Sequence, residues 1–187
     1  RLFSEEAFLS RPEFTDPEIR RTNLASVILQ MLNLRLGKIE SFPFVDQPDN
    51  RFVRDGFRLL HELGAVDNQE RLTKVGRQLA RLPIDPRIGR MVLSGAEHGA
   101  LNELLIIASA LSAQDPRERP HDKQQAADEK HRQWKDDNSD FLAYVNLWNG
   151  YEEQRQELSN SQFRRWCQKN FLNYLRMREW GDVHHQL

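Results

Sequence analysis

Apolar positions recur at helical spacing along most of this chain. Leu24, Val27, Ile28, Met31, Leu32 and Leu34-Leu36 outline an amphipathic helix that Gly37 terminates. Phe42-Pro43-Phe44 and Asp46-Gln47-Pro48 then form a proline-bearing loop whose two phenylalanines are expected to plug the core. Phe52, Phe57, Leu59, Leu60 and Leu63 belong to a second helix, stopped at Gly64. Beyond it the pattern changes, and Ala65-Val66 and Arg71-Leu72 predict two short strands joined around Asn68, a small β-wing. Thr73 offers a hydroxyl cap to a third helix, Thr73 to Arg81, whose apolar face of Val75, Leu79 and Leu82 runs out at Pro83. This order of elements predicts a winged-helix domain over residues 23–84.

From Asp85 the pattern is helical almost throughout, which predicts a helical bundle over 85–187 and a mainly α fold class. Asp85-Pro86 opens a helix that precedes Gly99, and Leu101, Leu104, Leu105, Ile107, Ala108 and Leu111 describe one buried on most sides. Asp115 to Pro120 is a charged, proline-flanked loop. Lys123 to Lys135 is nearly all polar, either a surface helix or a mobile excursion anchored by Trp134. Ser139 caps a long helix, Asp140 to about Leu158, with Leu142, Val145, Trp148 and Tyr151 on one stripe. Ser161 opens another, and Asn173 marks a cap or bend before the last. Ahead of all this, Arg1-Leu2-Phe3 reads as a strand stub, Ser4 to Phe8 as a capped turn, and Asp16-Pro17-Glu18-Ile19 as a helix start.

Composition narrows the function more by exclusion than by assignment. A net charge of -1 over 187 residues rules out a uniformly basic polymer binder, so any nucleic-acid contact rests on local patches. The single cysteine, Cys167, permits no intrachain disulfide and fits a reducing, cytoplasmic setting; its aromatic neighbourhood suggests a buried inert thiol. No apolar run approaches the roughly 20 residues that span a bilayer. Gly37-Lys38 is followed by Ile39, so there is no P-loop, and HExxH, CxxC and metal-spaced histidines are also missing. The adjacent His184-His185 pair is expected at the surface. A chain that opens on Arg1 reads as a piece of a longer protein.

Two stretches remain. Between Arg71 and Met91, Arg71, Lys74, Arg77, Arg81, Arg87 and Arg90 face a single acid, Asp85, and Lys74, Arg77 and Arg81 fall on one helical face. Such a face suits a phosphate backbone, and equally a solvated surface or one docked on an acidic neighbour. Between Ser161 and Leu187, five Arg and Lys residues outnumber Glu179 and Asp182, and Trp166, Phe171, Tyr174 and Trp180 interleave with them. Aromatic rings and guanidinium planes stack on bases while cations follow phosphates, so Arg165, Asn170, Tyr174 and Arg178 are the candidate RNA contacts; core packing is the competing role for the rings.

ELGAVD (62–67), LTKVGRQLARLPIDPRIGRM (72–91), LSAQDPRERP (111–120), SDFLAYVNLWNGY (139–151) and the closing RRWCQKNFLNYLRMREWGDVHHQL (164–187) together resemble the region behind the motor of DEAH-box RNA helicases. The wording is nearest to the bacterial HrpA type, and the likeness covers nearly the whole chain. It implies that RLFSEEAF, within residues 1–22, is the tail of the second RecA-like domain and its linker. It further implies that 23–84 is the winged helix and 85–187 the ratchet-like helical domain. ATP and magnesium would then belong to the parent's motor domains and no cofactor to this chain. The implied partners are single-stranded RNA on its 3′ side, the motor domains and a following OB-like domain, in a monomer. The Lys74, Arg77 and Arg81 face would serve as an interdomain or a nucleic-acid face. A self-standing winged-helix DNA-binding protein and a protein-interaction scaffold are the two competing functions.

Overall fold

The computed structural model describes Ser4 and residues 24–187. The strand stub at 1–3, the turn after Ser4, the helix start at Asp16-Pro17 and the RecA-like tail assigned to 1–22 lie outside the described residues. The chain divides into two compact units, Arg1–Ala80 and Arg81–Leu187, where the hydrophobic pattern puts the boundary after Ile84.

In the first unit, α1 (Ala25–Leu34) buries Ala25, Ile28, Leu29 and Met31 against α2 (Asn50–Glu62). It ends two residues before the Leu36 that Gly37 suggests, because Arg35 takes the left-handed conformation at φ 56° and the Leu36 amide donates back to the Met31 carbonyl. Leu34 is consequently 62% exposed, and Leu36 also faces outward. The phenylalanines of the proline loop do not plug the core. Phe42 and Phe44 stay half-buried and tilt against each other at 4.7 Å between ring centres, while Ile39 and Pro48 are the residues that go in. α2 starts on an Asp49 cap whose carboxylate accepts from the Arg51 amide, and it buries Val53, Gly56, Leu59 and Leu60. Phe52 and Phe57 are only half-buried. At Gly56 a side chain would meet the α1 backbone, with the Ala25 nitrogen 3.1 Å from an added Cβ.

The expected β-wing is reduced to a single antiparallel bridge, Val66 with Leu72, and no two strands form among the described residues. The cause is local. The Asp67 side chain accepts from the amides of Gln69 and Arg71, and Glu70 sits at φ 58°, so the connection closes as a tight side-chain-stapled turn rather than as a strand pair. Thr73 then performs the capping its position suggests. Its hydroxyl accepts from the Gly76 amide and donates to the Gly64 carbonyl, and α3 spans only Lys74–Leu79.

The second unit is a helical bundle. α4 (Pro86–His98) begins on Asp85, whose carboxylate accepts from the Arg87 amide, and stops at Gly99 with φ 74°. α4 packs on α5 (Leu101–Ser112), and α5 packs in turn on α7 (Asp140–Glu157) and α9 (Tyr174–Gln186). Among the described residues, the shared core includes Ile106, Trp134, Leu147, Trp148, Tyr151, Phe163, Cys167, Leu172, Met177 and Trp180. On α7 the expected Trp148 and Tyr151 are buried and Val145 packs partly against the core, but Ala143 and Leu147 complete the buried face and Leu142 is 44% exposed. α8 (Asn160–Lys169) is opened by Ser159 rather than Ser161, through a capping box with Gln162. Asn173 is the cap of α9 and accepts from the amides of Leu175 and Arg176.

The polar segment resolves into α6 (Gln124–His131) and a short 3-10 turn, Arg132–Trp134. Trp134 has help in anchoring it. Ala127 is fully buried, Arg119 pairs with Asp128 at 2.5 Å, and the His131 ring is 3.1 Å from the Phe171 carbonyl. The Asp115–Glu118 strip is stitched to the α8–α9 turn by an Arg117–Leu172 bridge and by the Asn173 amide donating to the Pro116 carbonyl.

His184 is not a free surface residue. Its ring lies tilted against Trp148 at 4.3 Å between ring centres, and burial lowers its pKa from 6.5. The folded protein therefore disfavours the imidazolium. Stability conferred by this group is present above pH 6.5 and is lost as the pH falls through the lowered folded value. A thermal melt series from about pH 7.5 to 5 is expected to show a declining Tm in the parent and a flatter profile in His184→Phe, which retains the ring contact.

Candidate nucleic-acid interface

The C-terminal helices build a cleft of about 250 Å3 from Tyr151, Arg155 and Leu158 near the end of α7, Asn160 and Phe163 on α8, and Tyr174, Arg178 and Asp182 on α9. Each wall follows from local packing. Tyr151 and Phe163 are core residues in edge contact at 5.5 Å, and they turn their outer rims to the opening. Gly181 allows α9 to approach that floor, since a Cβ there would come within 2.7 Å of the Tyr151 hydroxyl. The same hydroxyl accepts from the Arg155 guanidinium at 3.0 Å, which holds one cation at the rim. Burial raises the Tyr151 pKa, so the phenol stays protonated. Tyr174 is half-buried, 5.8 Å from Phe163, and carries the Arg164 guanidinium over its ring at 5.0 Å. Guanidinium and ring together make a flat cationic platform of the type on which bases stack.

Of the four residues expected to touch RNA, the structure brings two together. Tyr174 and Arg178 line the cleft; Arg165 and Asn170 do not. Asn170 is only 8% exposed and structurally occupied. Its side-chain amide donates to the Trp166 carbonyl at 2.9 Å, and its side-chain oxygen accepts from Gln133 at 3.3 Å. It closes the turn after α8 and offers no polar tip to a ligand. Arg165 is exposed, turned back toward the Ser161 carbonyl. Of the interleaved aromatics, Trp180 is fully buried, and Trp166 packs between Trp134 and Phe163. Sequence reasoning missed Arg155, Arg164 and Asn160. The first two were legible as cations one helical turn or less from core aromatics, but their joint placement depends on how three helices meet.

A second cleft of about 520 Å3 lies between the Asp115–Arg119 strip and the polar segment. Here most charges are matched. Arg117 chelates Asp115 with distances of 2.7 and 3.0 Å and covers the Tyr144 ring, and Arg119 is held by Asp128. Burial pushes the Asp115 carboxyl up, but the bonds from Arg117 outweigh it and hold the group below its usual range. This chemistry knits the polar segment to the bundle.

The third candidate, the basic face of the first unit, is smaller than expected. α3 ends at Leu79, so the helical register joins Lys74 and Arg77 but does not extend to Arg81. Arg77 donates to the Leu72 carbonyl at 3.0 Å, which leaves Lys74 as the fully projecting cation of α3. Cys167 is fully buried and its thiol is pushed up to about 12 by burial, so it has no nucleophilic role. Among the described residues no group of three or more His, Cys, Asp or Glu side chains is placed to hold a metal ion. None of the described helices is long and apolar enough to cross a membrane.

Residues 57–84 match the model of the helicase associated domain (HA2), winged-helix, and residues 85–144 that of the helicase associated domain (HA2), ratchet-like. Over its whole length the chain is 61% identical to the ATP-dependent RNA helicase HrpA homolog of Haemophilus influenzae and 62% identical to the ATP-dependent RNA helicase HrpA of Escherichia coli. It is 34% identical, again over its whole length, to the DExH-box ATP-dependent RNA helicase DExH1 of Arabidopsis thaliana. The chain spans 15% of the length of each of the two bacterial relatives and 19% of the plant one.

Proposed function

The chain belongs to the helicase-associated winged-helix and ratchet-like region found in HrpA-type ATP-dependent RNA helicases, and from that membership we propose that its helical unit grips single-stranded RNA while its winged-helix unit couples that grip to motor-domain motion. The observation that carries the proposal is the cleft in which Tyr174, backed by the Arg164 guanidinium, faces Arg155 and Arg178. A stacking platform beside several cations holds a strand without reading its sequence, because every base has a π-face and every nucleotide a phosphate. ATP and magnesium are assigned to the motor domains, and the OB-like domain supplies a further RNA contact. Lys74 and Arg77 are assigned to docking within the parent helicase, in its cytoplasmic setting.

The test is a fluorescence-anisotropy titration of the chain with single-stranded RNA and duplex DNA across a salt series. Weak, salt-sensitive binding to the single strand is expected. Arg164→Ala combined with Arg178→Ala should weaken binding to the single strand and make it less salt-sensitive, because two positive charges leave the cleft. Sequence-specific binding to duplex DNA would contradict the proposal in favour of a self-standing winged-helix protein. No binding at low salt would favour a scaffold.

A further inference from the structure

Within the cleft, Arg178 and Asp182 lie four residues apart on one face of α9, both exposed and within reach of each other at that spacing. They do not pair here. Among the described residues neither side chain has a hydrogen bond or ion pair within the chain, and the same holds for the Asn160 side chain across the opening. Arg155, by contrast, is already bonded to the Tyr151 hydroxyl. The cleft thus presents a donor-only fork, an acceptor-only carboxylate and an amide that does both, all unengaged, beside the ring of Tyr174.

Resting on the strand-gripping reading of the same cleft, we infer that it holds one unstacked base and prefers guanine, with Asp182 as the specificity-determining residue. A phosphate cannot satisfy Asp182, since both groups only accept and both are negative. The occupant facing Asp182 must therefore donate. An ionised carboxylate accepts two parallel bonds, and of the four RNA bases only guanine places two donor groups side by side on its Watson–Crick edge, N1–H and the N2 amine. Uracil offers one N–H between two carbonyls, and the amines of cytosine and adenine sit beside ring acceptors. The adjoining Hoogsteen edge of guanine, O6 and N7, accepts from a guanidinium fork, the role left for Arg178. The bases of a single strand expose these edges. A volume of about 250 Å3 suits a single base and not a dinucleotide. The floor is fixed by the close approach of Gly181 to Tyr151, while Arg178, Asp182 and Asn160 stand exposed at the rim.

The experiment uses fluorescein-labelled oligo-uridine of about eight nucleotides with one central guanosine, inosine, adenosine or uridine, titrated into the parent chain, Asp182→Ala and Arg178→Ala. A single guanosine in a uridine background forms no quadruplex. The guanosine strand should bind the parent about tenfold more tightly than the adenosine strand, the increment expected of one good two-bond base contact. Inosine, which lacks the N2 amine, should forfeit most of that advantage. Asp182→Ala should abolish the discrimination while binding the all-uridine strand at least as tightly as the parent, because a negative charge is gone from the path of the phosphates. A merely structural role for Asp182 would instead weaken all four strands together. Arg178→Ala should weaken the guanosine and inosine strands most, since both carry O6 and N7, and the adenosine and uridine strands less. Equal affinity for guanosine and adenosine strands in the parent, or discrimination that survives Asp182→Ala, would overturn the inference and leave strand gripping intact. Failure of every strand to bind at low salt would overturn both.

Discussion

Replacing Trp180 by alanine is expected to cost about 3–5 kcal/mol, the range for removing a large aromatic from a close-packed interior. Trp180 is fully buried and is the point at which the bundle converges. Its ring lies 5.1 Å from Trp148 and 6.1 Å from Tyr144 on α7, and its indole N–H donates to the Ser109 hydroxyl on α5 at 2.9 Å. That hydroxyl in turn donates to the Ile106 carbonyl at 2.9 Å. The substitution therefore opens a cavity and removes the polar link between α5 and α9 together. Ser109 keeps its own bond to Ile106, so the buried hydroxyl is not orphaned, and cavity formation dominates. Thermal denaturation should show a fall in Tm of roughly 10 °C or more. Trp180→Phe, which fills most of the space but cannot donate, should be clearly milder. A destabilisation in Trp180→Phe equal to that in Trp180→Ala would assign the effect to the hydrogen bond and not to packing.

The second large effect is expected at Gly76. An added Cβ there would overlap the Ala65 carbonyl oxygen and sit 2.9 Å from the Ala65 carbonyl carbon, so the obstacle is backbone and cannot rotate away. That carbonyl is also committed, accepting from the Thr73 amide at 3.0 Å. Gly76→Ala must displace α3 from the turn that precedes it, against the ordinary expectation that alanine improves a helix interior. The loss should be about 1–3 kcal/mol, as for overpacked interiors. Gln78→Ala, on the exposed side of the same helix, should stay within about 0.5 kcal/mol of the parent. Comparing the two urea midpoints separates the clash from any general sensitivity of α3; a neutral Gly76→Ala would show that the close approach to Ala65 is not needed.

These two sites also mark how far the sequence can be read. The helices are legible because apolar spacing and caps agree: Thr73, Asp85, Ser139 and Asn173 all cap where their position suggests. The β-wing is not, because the strand signal of Ala65-Val66 and Arg71-Leu72 is short, and the Asp67 side chain competes for the amides that strand pairing would have used. Leu34, Leu36 and Leu142 look like core in the pattern and face outward, since a small change in where a helix stops or how it faces moves a residue off the buried arc. In the candidate site, Tyr174 and Arg178 share a helix and can be paired by counting. Arg155, Arg164 and Asn160 come from two other helices, and Asn170 reads as a polar tip although its neighbours consume it.

The central claim, that the helical unit holds a single strand at the cleft between α7, α8 and α9, is tested most directly by photocrosslinking. Single-stranded RNA carrying 5-iodouridine is irradiated with the chain, and the modified peptide is identified by mass spectrometry. Crosslinks concentrated on Tyr174 and its neighbours in α8 and α9, and absent from Arg164→Ala with Arg178→Ala, are the predicted result. Crosslinks confined to residues 65–79 around α3, with none on α8 or α9, would contradict the account and move the strand to the winged-helix unit.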